Sequence, residues 1–134
     1  GDAVLAVFGA PRRNDDDPDR AVRCALVMQE AMGDINAANS ADGLPEVEMA
    51  IALNTGTVVA GNIGSERRSK YGFVGHAMNV TSRIEDVADP GEILISQTTY
   101  EKLGGNYQFG QSQTLLVKGI EAELRVHAVL GEDQ

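Results

Sequence analysis

A chain of 134 residues has one-domain length, because a core of that size buries roughly two-thirds of the surface that the unfolded chain exposes. Its 43% apolar and 23% charged residues are globular proportions, and no run approaches the roughly 20 apolar residues that a membrane span needs. Eleven basic residues against twenty acidic ones leave a formal charge of -9, which repels nucleic acid and anionic membranes, although a metal ion and a few cations can invert the field locally for a nucleotide.

Cys24 stands alone, so neither an internal disulfide nor a multi-cysteine zinc site can form, and the chain suits a reducing, cytoplasmic compartment. Cys24 itself reads as a small apolar residue on a helix face. His76 and His127 are too few for zinc, and no basic segment followed by an apolar run suggests a signal peptide. Gly1-Asp2 reads as a turn, and the apolar run Ala3 to Phe8 as a central strand covered on both faces. Gly9-Ala10-Pro11 ends it, Arg12 to Asp16 is a polar loop, and Asp17-Pro18 starts a helix, with Asp as the cap and proline in the first turn. Ala21, Ala25, Met28, Met32 and Ile35 recur at spacings of three and four and predict the core face of that helix, which runs to about Ala38.

Asn39 to Pro45 carries turn residues. Val47, Met49, Ile51 and Leu53 then alternate as a strand, and Asn54-Thr55-Gly56 turns it into Thr57 to Ile63, a hairpin. Ser65 to Gly75 is a basic connection. A second helix is expected from about Ala77 to Val87, burying Met78, Val80, Ile84 and Val87 and stopped by Asp89-Pro90-Gly91. A strand (Glu92 to Ser96), a short helix (Thr98 to Leu103), an extended piece (Tyr107 to Phe109) and a closing pair of strands (Leu115 to Lys118 and Leu124 to Leu130) follow. This order indicates an α+β fold, a largely antiparallel sheet covered by helices, with one sheet dominant.

Three segments in order, Gly1 to Gly9 (GDAVLAVFG), Asn54 to Gly64 (NTGTVVAGNIG) and Tyr71 to Glu85 (YGFVGHAMNVTSRIE), followed by Val117-Lys118-Gly119-Ile120-Glu121, resemble the catalytic domain of bacterial-type class III adenylate and guanylate cyclases. The resemblance covers essentially the whole chain, and four ordered motifs are far more specific than a single glycine pattern. It implies a ferredoxin-like nucleotide cyclase fold, N-terminally truncated, with residues 1–134 forming the C-terminal portion of one catalytic domain. It also implies conversion of a nucleoside triphosphate to a 3′,5′-cyclic monophosphate and pyrophosphate, with two divalent ions, Mg2+ or Mn2+, and active sites shared across a homodimer.

Asp2 matches a metal-binding aspartate of that family. Asn79 and Arg83 match its transition-state pair, four residues apart and so on one helix face. The resemblance makes Asn79 the group that orients the ribose and Arg83 the group that stabilises charge on the α-phosphate. Lys118 and Arg67, or its neighbour Arg68, match groups that contact phosphates. Two features depart from the pattern. Gly72 stands where many adenylate cyclases carry a side chain that reads the adenine amine, so ATP over GTP rests on family frequency. The first metal aspartate, a phosphate-cradling loop and a base-selecting lysine precede the matched region in the family, so the chain alone is expected to be inactive and to belong to a longer protein with further domains. The other readings are a non-catalytic cyclase-homology module for dimerisation or regulation, and a guanylate cyclase.

Overall fold

The computed structural model describes residues 3–10, 12–63, 70–116 and 123–133. In chain order its elements are α1 (Asp17–Ala41), β1 (Ile51–Leu53), β2 (Val59–Ile63), β3 (Lys70–Val74), α2 (His76–Val87), β4 (Ile93–Ser96), α3 (Gln97–Lys102), β5 (Tyr107–Leu116) and β6 (Glu123–Glu132). One four-stranded sheet runs β1-β4-β6-β5, and β2 and β3 form a separate antiparallel ribbon. The larger sheet is mixed: β1 pairs with β4 in parallel, and the β4–β6 and β6–β5 pairs are antiparallel.

Every residue of β4 is buried, as a strand covered on both faces must be. Alternation divides those side chains between two layers. Ile93 and Ile95 join Val22 and Ala25 of α1, Ile51, Tyr107 and Val129 in one cluster. Leu94 joins Val80 and Ile84 of α2 and Val126 in the other. The sheet therefore has α1 on one face and α2 on the opposite face, an α+β sandwich as the order of elements implied.

Several local expectations are corrected. Ala3 to Phe8 is not a central strand: residues 3–7 have no regular structure, and Val4 and Leu5 are 89% and 57% exposed. An apolar run becomes a strand only by pairing with a neighbour, and none of the described strands pairs with this one. The first helix extends to Ala41, and its buried face is Val22, Ala25 and the partly buried Leu26, whereas Met28 and Ile35 are 36% and 48% exposed. Of the expected stripe, Ala25 is buried and Ala21 and Met32 are partly buried; contact with the sheet turns the rest of the buried face toward Val22 and Leu26. Cys24 lies on the exposed side. Asp17 does not cap the helix. Its carboxylate accepts from the Asn14 amide at 2.8 Å and pairs with Arg20 at 2.9 Å.

The strand expected from Val47 to Leu53 is regular only over Ile51–Leu53. Amide side chains of α1 take the place of a ladder before it. Asn36 donates to the Val47 carbonyl and accepts from the Val47 amide, both at 2.7 Å, and Gln29 donates to the Met49 carbonyl at 2.7 Å. The predicted hairpin has a different partner: β2 pairs with β3, with Val59 opposite Val74 and Gly61 opposite Gly72, so part of the basic connection is itself a strand. The second helix buries Val80 and Ile84, while Val87 is 47% exposed. Tyr107 to Phe109 and Leu115 are one continuous strand, β5, paired along β6 with register shifts around Phe109.

Candidate active site

The carrier of the candidate catalytic pair is α2. Val80 and Ile84 pack against Leu94 and Val126. Asn79 and Arg83 each precede one of these buried residues and are exposed, a rotation of about 100° around the helix. Burial of one stripe thus fixes the direction of the neighbouring polar stripe. The Arg83 guanidinium lies 3.6 Å from the Asp86 carboxylate, one turn on, with both side chains about half exposed (54% and 55%).

The start of α2 is built without a side-chain cap. Its N-cap residue, Gly75, has φ 144°, and a Cβ there would meet the Thr57 carbonyl at 3.3 Å, a conformation that favours glycine. Gly56 lets the loop after β1 approach the helix, since a Cβ on it would lie 2.7 Å from the Ala77 Cβ. Asn54 reaches across from the end of β1, its amide nitrogen donating to the Ala77 carbonyl at 3.0 Å. The Thr81 hydroxyl donates to the same carbonyl at 2.7 Å. On the other side of Asn54, the single proton of the Thr98 hydroxyl faces both the Asn54 Oδ1 at 3.2 Å and the Thr55 carbonyl at 3.0 Å. The Thr55 and Thr99 hydroxyls are 2.8 Å apart, and Ser96 caps α3 by accepting from the Thr99 amide.

An amide and a guanidinium one turn apart donate hydrogen bonds and supply one positive charge; they are binding and charge-stabilising groups, not proton carriers. Asp2, Arg67, Arg68 and Lys118 lie outside the described residues. Among the described residues, no three His, Cys, Asp or Glu side chains converge to hold a metal ion. No helix among them is long and apolar enough to cross a membrane.

Two titratable clusters elsewhere belong to the framework. The Asp19 carboxylate accepts from the Gly104 amide (2.8 Å), the Gly105 amide (2.9 Å) and the Tyr107 hydroxyl (2.6 Å), tying α1 to the start of β5. Burial alone would raise the Asp19 pKa, but the Tyr107 bond and the two amides outweigh it and hold the carboxyl below its ordinary value. Tyr107 is pushed up to about 12, by burial first and then by its bond to Asp19. His127 stacks on Tyr100 with ring centroids 4.0 Å apart and shares a 2.6 Å hydrogen bond with Gln97. Burial, and after it the charge of Arg125, lowers its pKa and favours the neutral ring.

Sequence reasoning missed Asn54, Thr55, Ser96, Thr98 and Thr99. The signal for part of this set was present: Ser96-Gln97-Thr98-Thr99 opens a short helix with a capping residue, and polar residues close both β1 and β4. Comparison with known proteins gives the site its context. Residues 1–131 match the family described as the adenylate and guanylate cyclase catalytic domain. Adenylate cyclase 1 of Rhizobium meliloti is 33% identical over 133 residues, covering 98% of the chain but 20% of that protein. The chain therefore spans about a fifth of the length of this relative. Among solved structures, the guanylyl cyclase Cya2 superposes with a TM-score of 0.86 at 41% identity, over 95% of this chain and 64% of that one. The adenylyl cyclase CyaB of P. aeruginosa superposes with a TM-score of 0.85 at 28% identity, over 95% and 66%. With a mixed sheet between two helical layers and a family match over residues 1–131, the chain belongs to the class III adenylate and guanylate cyclase catalytic domain family.

Proposed function

We propose that the protein containing this chain converts ATP to 3′,5′-cyclic AMP and pyrophosphate at the interface of two cyclase domains in the cytoplasm. The observation that carries the proposal is the pair Asn79 and Arg83, one turn apart and open to solvent on a helix whose adjacent stripe is locked into the core. In the reaction the ribose 3′-oxygen bonds to the α-phosphorus while the bond from that phosphorus to the bridging oxygen breaks. Pyrophosphate leaves with the electron pair, and the 3′-hydroxyl proton passes to solvent. The Arg83 guanidinium donates to the α-phosphate oxygens as their charge grows, and the Asn79 amide orients the ribose. Lys118 from the same protomer, and Arg67 from the other, hold the terminal phosphates. When bound, two divalent ions supply neutralisation of phosphate charge, and Asp2 is this chain's contribution to their site.

The substrate base has a second reading, GTP, favoured by a specific observation. Gly72 in β3 faces Gly61 across the ribbon, so neither residue has a side chain with which to read an adenine amine, and the 41% identical Cya2 is a guanylyl cyclase. Initial rates with ATP and with GTP, measured on the full-length protein, separate the two through kcat/KM. Cyclic AMP as the dominant product supports the proposal. Cyclic GMP as the dominant product replaces it, and neither product above a boiled control returns the domain to the non-catalytic reading.

A further inference from the structure

We infer that Asn54 is a positioning residue for the cyclisation step, acting through α2 on Asn79 and Arg83; the inference rests on the roles proposed for that pair. The start of α2 has no side-chain cap, so the height and rotation of its first turn depend on contacts from outside the helix. Gly56 supplies close van der Waals approach at Ala77. Asn54 supplies the directional contact. Its amide nitrogen donates to the Ala77 carbonyl, two residues before Asn79, and its Oδ1 faces the Thr98 hydroxyl. Thr98 stands at the start of α3, immediately after the buried strand β4. Because β1 and β4 are paired in parallel, with Leu53 opposite Ile95, Asn54 and Ser96 leave the sheet side by side. The amide of Asn54 thus bridges the rigid end of the central sheet and the first turn of the helix that carries both candidate catalytic groups.

This geometry needs both ends of an asparagine. A donor must face the Ala77 carbonyl and an acceptor must face Thr98, and the partly buried amide does both without charge. Aspartate has the same shape and retains the acceptor, but it sets a carboxylate oxygen 3.0 Å from a carbonyl oxygen, which repels the first turn of α2. A displacement of about 1 Å in a group that acts only in the transition state costs on the order of a hundredfold in rate. Loss of the contact is therefore read in kcat and much less in KM.

The test uses the full-length enzyme with its preferred nucleotide, following kcat, KM and the thermal midpoint of Asn54→Asp, Thr98→Val and Asn79→Ala. Asn54→Asp is expected to lower kcat about ten- to hundredfold, with KM changed less than about threefold. Thr98→Val leaves the bond from Asn54 to Ala77 in place and removes the hydroxyl that faces Asn54, the Thr55 carbonyl and Ser96; it is expected to lower kcat by less, with KM again held, and it stands in as the readout if Asn54→Asp does not fold. Asn54→Asp with wild-type kcat and a lowered thermal midpoint makes Asn54 a structural residue only and overturns the inference. A wild-type kcat in Asn79→Ala overturns the underlying role of the pair, and the inference falls with it. A loss in Asn79→Ala without any loss in either Asn54→Asp or Thr98→Val overturns the inference alone.

Discussion

Replacing Asp19 by asparagine tests the joint between α1 and β5, and its cost can be worked out from three distances. Asp19 is 6% exposed. It accepts from the Gly104 amide at 2.8 Å, the Gly105 amide at 2.9 Å and the Tyr107 hydroxyl at 2.6 Å. Asp19→Asn keeps the shape but converts one acceptor oxygen into a donor, so at least one of the three donors faces another donor in a buried place. A hydrogen bond to a charged group is worth about 1.5–3 kcal/mol, and a loss of about 2–3 kcal/mol is expected at neutral pH. In a domain of this size that corresponds to a drop of roughly 10 °C in Tm. The sign of the pH dependence follows from the depressed carboxyl of Asp19. Its stabilisation is fully present above the unfolded value of 3.8 and is lost as pH falls through the lower folded value. Thermal melts by circular dichroism from pH 7 down to the acid limit should show wild type above Asp19→Asn by this margin, with the gap closing only below about pH 4. Tyr107→Phe, which removes one donor and leaves the charge, should cost about 1.5–2 kcal/mol. A gap of the same size at every pH would show that the charge of Asp19 is not what the three donors stabilise.

Arg83→Ala in the full-length enzyme should lower kcat about a hundredfold, the effect of removing one electrostatic contact to the transition state. Its Tm should be unchanged, because the 3.6 Å pair with Asp86 is half exposed on both sides and such pairs contribute about 0.5 kcal/mol or less; enzyme kinetics and a melt on the same sample check both halves. Mixing Asp2→Ala with Asn79→Ala chains under conditions of subunit exchange should restore roughly a quarter of wild-type activity, since each mixed dimer has one site with both lesions and one with none. No gain on mixing would place both groups within a single protomer's site.

Legibility from sequence followed the range of the interaction. Helix α2 was readable because its determinants are local: Val80 and Ile84 repeat at four residues, Asn79 and Arg83 repeat beside them, and Asp89-Pro90-Gly91 follow. Strand β4 was readable for a similar reason, as a short apolar run between turn signals. The face of α1 was readable only at Ala25, because Val22 and Leu26 stand beside the expected stripe and only contact with Ile93 and Ile95 brings them into the core. The fate of Ala3 to Phe8 was equally invisible. Its residues have strand composition, but composition does not supply a partner for the backbone.

The same distinction explains why the candidate pair was found and its support was not. Asn79 and Arg83 are recognised because both fall within one continuous family motif, Tyr71 to Glu85. Asn54 acquires its role from Ala77, 23 residues away, and from Thr98, 44 residues away. Both partners are brought to it by the parallel pairing of β1 with β4 and by the return of the chain through the β2–β3 ribbon. In the sequence Asn54 is a turn-former at the head of the Asn54 to Gly64 motif, and nothing local to it indicates Ala77 or Thr98 as its partners. The helix that presents the chemistry is thus specified locally, while its placement against the sheet is specified by a polar bridge that exists only after the long-range pairing of two parallel strands has formed. A substitution in that bridge is expected to leave Asn79 and Arg83 themselves intact and still slow the reaction.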